Sequence, residues 1–187
     1  MSAADTASEP VLCVDLDGTL ARGDTMVRAG RRLLVRKPWL APRLAWWNLR
    51  GRGHLKDQIA RRAAFDAASL LYHQGLLRWL REEKTRGRRI IIASGADRRV
   101  VTAVARHLGL FDDIVASDGR VNLTGARKAA ALQARFGAFD YVGNSRTDLA
   151  VWRHARRSYL VARRRGHAAR FGRLVHFARI FDATEEF

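Results

Sequence analysis

The chain has 187 residues, and its 35 lysine and arginine residues outnumber its 18 aspartate and glutamate residues, giving a formal net charge of +17. Hydrophobic residues make up 48% of it, enough for a sizeable core, and no apolar run approaches the roughly 18 residues of a membrane-spanning helix. The single cysteine, Cys13, excludes an internal disulfide and favours a reducing, cytoplasmic location.

The chain begins with a polar segment. Residues 1–9 are small, polar and acidic and lack the basic-then-apolar layout of a signal peptide, so we interpret them as a flexible tail. The positive charge of the rest favours anionic partners such as phosphates, nucleic acid or acidic lipid. Nearly all of the basic residues are arginines, however, and genome composition alone explains such a bias equally well.

Short runs rich in valine and isoleucine alternate with helical patterns along most of the chain. The candidate strands are residues 11–15, 89–93, 113–117, 139–142 and 158–162. Several are apolar throughout, which is typical of strands buried on both faces of a parallel sheet. Apolar residues recur at helical spacing between them, and two of these helices end at Gly109 and Gly137. The alternation predicts an α/β fold with a doubly wound (Rossmann-like) parallel sheet of about five strands.

Residues 24–70 interrupt the alternation, because they contain helical patterns and no candidate strand. We predict a small helical cap inserted after the first strand, with residues 10–23 and 71–162 forming the core. The insertion is rich in tryptophan and arginine, and Arg50 and Lys56 within it are candidates for binding an anionic substrate. A basic surface with interleaved aromatic residues also suits single-stranded nucleic acid, and that alternative stays open.

Residues 163–187 are predicted to form a basic C-terminal helix. Apolar residues there, among them Phe171, Leu174 and Phe181, fall on one helical face opposite several arginines. Two interpretations stay open: a last helix packed on the sheet, or peripheral attachment to an anionic membrane at its inner face.

Polar residues follow the predicted strands at the end where an open parallel sheet binds its ligands. The first strand runs into DLDGT at 15–19, the second ends in SG at 94–95, and the fourth runs into GNSRTD at 143–148. Lys128 lies near the start of the helix before the fourth strand. We therefore expect these groups to converge at one edge of the sheet.

This combination of residue types suits phosphoryl transfer. The Asp15 carboxylate can attack phosphorus to form an aspartyl phosphate, and Asp17 can act as general acid and base. Mg²⁺ bound by Asp15 and Asp148, together with Lys128, can offset the repulsion between carboxylate and phosphate. Hydroxyl and backbone N–H groups can hold the phosphate oxygens. The expected phosphate contacts come from Gly18, Thr19, Ser94, Gly95, Lys128, Arg50 and Lys56.

The order DLDGT, Ser94, Lys128 and GNSRTD resembles the haloacid dehalogenase superfamily of phosphatases over residues 10–162. The resemblance implies a Mg²⁺-dependent phosphomonoester hydrolase that works through an aspartyl phosphate. It implies Asp15, Asp17, Ser94 and Lys128 as catalytic residues and a cap similar to that of phosphoserine-phosphatase-like members. The residues implied at the metal are Asp15, Asp17, Asn144 and Asp148.

A closer likeness concerns the stretches CVDLDGTL, HLGLFDDIVASDGRVNLTG and YVGNSRTDLAVW. They resemble the phosphatase-like domain found ahead of UbiA-type prenyltransferases, which implies a membrane prenyltransferase as partner. One position departs from the superfamily pattern, because Asn144 stands where an aspartate is usual. Its carbonyl oxygen still suits Mg²⁺, but the lost negative charge predicts weaker Mg²⁺ binding.

Alternatives to the phosphatase hypothesis remain at this stage. Asn144 and the basic C-terminal segment favour a catalytically weak module that acts with a prenyltransferase. The net charge alone favours a nucleic-acid-binding protein, although specific recognition is not expected. Single residues also have plainer interpretations, with Ser94 in a turn, Lys128 on a solvated helix and Asp148 in the first turn of a helix. The substrate stays open among a sugar phosphate, an isoprenoid phosphate and a small metabolite.

Overall fold

A computed structural model describes residues 9–62, 65–118, 121–164 and 166–182. Its centre is a six-stranded sheet in the order β3-β2-β1-β4-β5-β6, in which every neighbouring pair is parallel. The strands are β1 Val11–Val14, β2 Ile90–Asp97, β3 Asp113–Ser117, β4 Phe139–Gly143, β5 Ser158–Ala162 and β6 Phe177–Asp182. The doubly wound parallel sheet is confirmed, whereas the expected count of about five strands is one too few.

Helices cover the sheet and separate its strands. They are α1 Thr25–Arg36, α2 Ala41–Leu49, α3 Arg52–Arg62, α4 Gln74–Thr85, α5 Arg98–Leu108, α6 Ala126–Phe136, α7 Leu149–Trp152 and α8 His167–Gly172. Local chemistry defines their ends: Asp97 caps α5 by accepting a hydrogen bond from the Arg99 N–H, and Gly109 ends it with φ +63°. Two apolar clusters, one on each face of the sheet, form the core.

The register of the sheet brings the functional segments together. Strand β1 lies between β2 and β4, with Val14 level with Ile92 and Val142. The backbone N–H of Asp15 donates to the Val142 carbonyl at 3.0 Å, so the chain is still held to β4 as it leaves β1. The segments that follow β1, β2 and β4 therefore open onto one edge of the sheet.

Helices α1, α2 and α3 occupy the segment 24–70 that the sequence predicts as a helical insertion. Asp24 caps α1, accepting hydrogen bonds from the Met26 and Val27 N–H groups. Met26 and Ile59 pack into the main core cluster, so the insertion is joined to the sheet by apolar contacts. None of the helices in the described ranges is long and apolar enough to cross a membrane.

The C-terminal segment differs from its prediction. The basic helix expected over 163–187 is wrong: α8 covers only His167–Gly172, and Phe177–Asp182 forms the edge strand β6. The aromatic residues predicted on one apolar helical face lie in the core, because Phe171 packs against Trp152 and Phe181 against Trp79. In the described part of this segment, Phe171 and Phe181 therefore do not share the single helical face that the sequence predicts. The prediction for residues 1–8 falls outside the described residues, as do residues 183–187.

Replacing Phe181 with alanine tests this correction. Phe181 is 5% exposed and packs against Trp79, so Phe181→Ala should lower the free energy of unfolding by about 3–5 kcal/mol. Its neighbour Ile180 is 47% exposed on the same strand, and Ile180→Ala should cost less than about 1 kcal/mol. Urea denaturation measures both. Equal small losses would mean that this segment does not pack on the sheet.

A buried ion network lies at the opposite end of the sheet. Arg88 precedes β2 and forms ion pairs with Glu83 of α4, at 2.7 Å, and with Asp140 of β4. Its Nε atom donates to the Pro10 carbonyl at 3.1 Å. All three charged groups are buried, so this network joins α4, β2 and β4 away from solvent.

Candidate active site

A cavity of about 310 Å³ opens at the carboxyl ends of β1, β2, β4 and β5. Among the described residues that line it are four acids, Asp15, Asp17, Asp24 and Asp148. Three cationic side chains line it as well, Lys56, Lys128 and Arg163. Residues from both the sheet and the helical insertion thus surround one charged cavity.

Asp15 lies at the base of this cavity and is buried. Its Oδ1 atom accepts a hydrogen bond from Lys128 Nζ at 2.7 Å, and its Oδ2 atom accepts one from Thr19 Oγ1 at 3.1 Å. Burial raises the pKa of Asp15 to about 7, with Asp148 and Asp17 adding to the rise and Lys128 opposing it. Lys128 is therefore the group that favours the ionised, nucleophilic form of Asp15.

Lys128 belongs to a buried chain of hydrogen bonds. Its Nζ atom also donates to Tyr141 Oη at 2.9 Å, and Tyr141 donates in turn to Asp148 Oδ1 at 2.7 Å. Burial disfavours the charge on Lys128, but Asp15 and Asp148 outweigh it and raise its pKa. Burial and then Asp148 raise the pKa of Tyr141 well above its usual value, so Tyr141 stays a neutral donor. The network fixes a cation against Asp15.

Asp17 has a different environment from Asp15. Its Oδ1 atom accepts a hydrogen bond from the backbone N–H of Thr25, the first residue of α1, at 2.8 Å. Burial raises its pKa, and nearby Asp24 adds to the rise. A raised pKa keeps a larger fraction of this carboxyl group protonated, which suits a proton donor.

Asp148 and Asn144 stand at the end of β4. Asp148 Oδ2 accepts hydrogen bonds from the Asn144 N–H at 3.1 Å and from the Ser145 N–H and hydroxyl at 2.9 and 2.7 Å. Both Asp148 oxygens are therefore engaged, and Asp148 orders the loop that carries Asn144. The Nδ2 atom of Asn144 is buried with no hydrogen-bond partner among the described residues. An orphaned buried amide facing a charged cavity fits a ligand position.

The orphaned Asn144 amide indicates that the oxygen donors of the cavity fit Mg²⁺. If the Asn144 side-chain amide is turned over, its Oδ1 atom takes the position of the unpartnered Nδ2 atom, and Asp15 supplies a carboxylate in the same cavity. Although four acids line the cavity, the described residues contain no cluster of three or more Asp, Glu, His or Cys side chains suited to a metal ion. Few carboxylates are therefore placed to share one divalent cation.

Three predicted phosphate contacts, Gly95, Lys56 and Ser94, lie on the β2 side of the site. Gly95 lines the cavity, and its carbonyl accepts hydrogen bonds from Lys56 Nζ at 2.6 Å and Ser117 Oγ at 2.9 Å. Lys56 thus reaches from α3 of the insertion to the end of β2. Ser94 is buried beneath it and accepts a hydrogen bond from the Ala96 N–H at 3.0 Å, so it is not among the cavity-lining residues.

Other predicted contacts lie away from the cavity surface. Thr19 is fully buried, and its hydroxyl holds Asp15 instead of facing a ligand. Gly18 is not among the residues that line the cavity, and its backbone N–H donates to the Ala21 carbonyl at 2.7 Å. Arg50, at the end of α2, stacks on Trp46 at 3.8 Å from the ring centre and does not reach the cavity.

Sequence reasoning missed several residues of this site, among them Asp24, Tyr141 and Arg163. Tyr141 lies in strand β4 beside Asp140, and its position two residues before the GNSRTD segment is the signal for it. Arg163 directly follows β5 and was assigned to the C-terminal helix that does not form. The rule that ligands bind beyond strand ends, applied to the fifth strand, would have indicated Arg163.

Comparison with known proteins places this geometry in a family. The family model described as haloacid dehalogenase-like hydrolase matches residues 12–153, which include Asp15, Lys128 and Asp148. The chain belongs to the haloacid dehalogenase-like hydrolase family. The predicted family is thereby confirmed, whereas Arg163 lies beyond the matched range.

A sequence relative of this haloacid dehalogenase-like chain is a longer protein. An uncharacterized protein of Sinorhizobium fredii, y4nM, is 31% identical over 153 residues, which is 81% of this chain and 30% of that protein. The chain thus spans less than a third of the length of this curated relative.

Solved structures show the same fold at low identity. A protein of unknown function from Bordetella pertussis Tohama I has a TM-score of 0.66 at 16% identity, covering 92% of this chain and 98% of that one. A phospho-aspartyl intermediate analogue of phosphoserine phosphatase has a TM-score of 0.61 at 16% identity, covering 92% of both chains. A phosphoserine phosphohydrolase-like protein from Francisella tularensis has a TM-score of 0.58 at 13% identity, covering 91% and 94%.

Proposed function

We propose that this chain is a phosphomonoester hydrolase that works through a phosphorylated Asp15. The observation that carries the proposal is the buried Asp15 carboxylate, held between Lys128 and Thr19, with Asp17 facing the same cavity. Family membership supports hydrolysis, and one structural neighbour is a phospho-aspartyl intermediate analogue of phosphoserine phosphatase. The small cavity and its three cationic side chains favour a small phosphorylated metabolite or the phosphate end of an isoprenoid or sugar phosphate.

The proposed reaction has two steps with different roles for the two aspartates. An Asp15 oxygen bonds to phosphorus while the bond from phosphorus to the substrate oxygen breaks, and Asp17 gives that oxygen its proton. Asp17 then takes a proton from a water molecule that attacks phosphorus, which releases phosphate and restores the Asp15 carboxylate. Lys128 offsets negative charge on Asp15 and on the phosphoryl group throughout.

Mg²⁺ is the proposed cofactor, and Asp15 and Asn144 would hold it. When bound, it would supply Lewis-acid stabilisation of the negative charge on the phosphoryl oxygens. Asp148 would support this site by ordering the Asn144 backbone and by orienting Tyr141, which contacts Lys128.

Restoring a carboxylate at position 144 should strengthen cation binding. Asn144→Asp adds one negative charge at a buried position that lines the cavity, so half-maximal activity should need about tenfold less Mg²⁺. Titration of Mg²⁺ against initial rate measures the change, and Asn48→Asp, at an exposed position of α2 outside the cavity lining, controls for a general effect of charge. An unchanged or higher Mg²⁺ requirement would count against this metal position.

A panel of phosphorylated compounds tests the proposed activity. We expect Mg²⁺-dependent release of phosphate from p-nitrophenyl phosphate and, faster, from one class among sugar phosphates, isoprenoid phosphates and small phosphorylated metabolites. No release from any of them, with or without Mg²⁺, would favour the second candidate function.

The second candidate is a catalytically weak module that acts beside a membrane prenyltransferase. Asn144 supports it, because the cation site is short of charge, and so does the greater length of the Sinorhizobium fredii relative. Co-purification of the full-length protein with a prenyltransferase, in the absence of phosphatase activity, would support this candidate over the first.

A further inference from the structure

We propose that Arg163 is an anion-binding residue of the cavity, which holds a phosphate group there in the absence of a divalent cation. The proposal rests on the proposed function for the identity of the cavity as a phosphate site. It assigns a specific role to a residue beyond the range that the family model matches.

The position of Arg163 follows from the sheet. It is the first residue after β5, which is the neighbour of β4 in the sheet, and it lines the same cavity as Asp15 and Asn144. A Cβ atom built on Gly18 would lie 2.9 Å from an Nη atom of Arg163 and 2.3 Å from Nδ2 of Asn144. The guanidinium and the orphaned amide thus lie side by side against the glycine of the DLDGT segment.

The charge of Arg163 is available for a ligand. Among the described residues, no carboxylate forms an ion pair with its guanidinium, although four acids line the cavity. Lys128, in contrast, is already paired with Asp15. An incoming phosphate therefore meets a guanidinium whose donors are uncommitted, in a geometry that suits two parallel hydrogen bonds to oxygen.

Asn144 and Arg163 both make this part of the cavity less negative. The amide supplies no negative charge where a cation would bind, and the adjacent guanidinium repels a cation and attracts an anion. Both features favour a bound phosphate over a bound metal before the substrate arrives. The inference is that the cavity binds phosphate even when metal is removed.

Isothermal titration of inorganic phosphate into the EDTA-treated protein tests the proposal. We expect Arg163→Gln to weaken phosphate binding by about 10- to 100-fold, with Arg163→Lys intermediate because it keeps the charge but loses the fork of donors. Arg164→Gln is the matched control: Arg164 is the adjacent exposed arginine, it hydrogen-bonds His167, and it is outside the cavity lining, so its variant should bind within about twofold of the parent. Equal melting temperatures would show that the variants are folded.

Two results would overturn the proposal. One is metal-free parent protein that binds no phosphate, and the other is Arg163→Gln with unchanged affinity. A parallel titration with pyrophosphate is a second readout: a loss of affinity for both anions supports the proposal, whereas a loss for pyrophosphate alone overturns it, because Arg163 would then contact a different anionic group. Because the measurement needs no turnover, a failed phosphatase assay and a failed binding experiment are separate outcomes.

Discussion

Asp15→Asn is expected to abolish phosphatase activity, lowering kcat by at least about a thousandfold. Asparagine keeps the size of Asp15 and an oxygen for Lys128 and Thr19, but its amide cannot form the acyl phosphate. The loss should therefore arise in the chemical step and not in folding. Release of p-nitrophenol from p-nitrophenyl phosphate, at saturating substrate and Mg²⁺, measures the change.

The control for this experiment is an aspartate outside the cavity. Asp66 is exposed and caps a short 3-10 turn at residues 67–69, and Asp66→Asn should keep kcat within about twofold of the parent. Substantial activity in Asp15→Asn, in a preparation shown to be free of contaminating phosphatase, would exclude Asp15 as the nucleophile.

Arg88→Ala is expected to cost about 3–5 kcal/mol of stability. The side chain of Arg88 is 2% exposed and pairs with Glu83 and Asp140, so its removal leaves Asp140 buried without its cation and Glu83 with only the exposed Arg86 among the described residues. Burying unpaired charge is among the most destabilising single changes in a folded protein. Urea denaturation should show a lower midpoint with an unchanged m-value.

Arg86 offers a matched control, because it pairs with the same glutamate. Its Nη1 atom lies 2.7 Å from Glu83 Oε1, but its side chain is 65% exposed. Solvent screens such a pair, so Arg86→Ala should cost less than about 1 kcal/mol. Similar losses of stability in the two variants would show that the burial of Arg88 adds nothing to the stability that the network provides.

Five strands were predictable because each is a short, largely apolar run between helical patterns. Strand β6 was not, since Phe171, Leu174, Val175, Ala178 and Phe181 also fit helical spacing, and an edge strand with one mostly exposed face gives a weak alternation. Only packing against β5 and Trp79 decides the outcome, and that contact is not encoded in the local pattern.

The candidate site was predictable where residues follow strand ends. Asp15, Asn144 and Asp148 line one cavity because β1 and β4 are neighbours with aligned ends. Thr19 and Arg50 were misplaced, since the sequence does not show whether a side chain turns to the nucleophile, to an aromatic ring or to the cavity.

The most direct measurement of the proposed mechanism is mass spectrometry of the protein quenched in acid during turnover of a phosphomonoester. The proposed mechanism predicts one phosphoryl group on the peptide that contains Asp15, and none on the Asp15→Asn protein. Sustained hydrolysis with the phosphoryl group on another residue, or with Asp15 never phosphorylated under conditions that trap the intermediate, would contradict it.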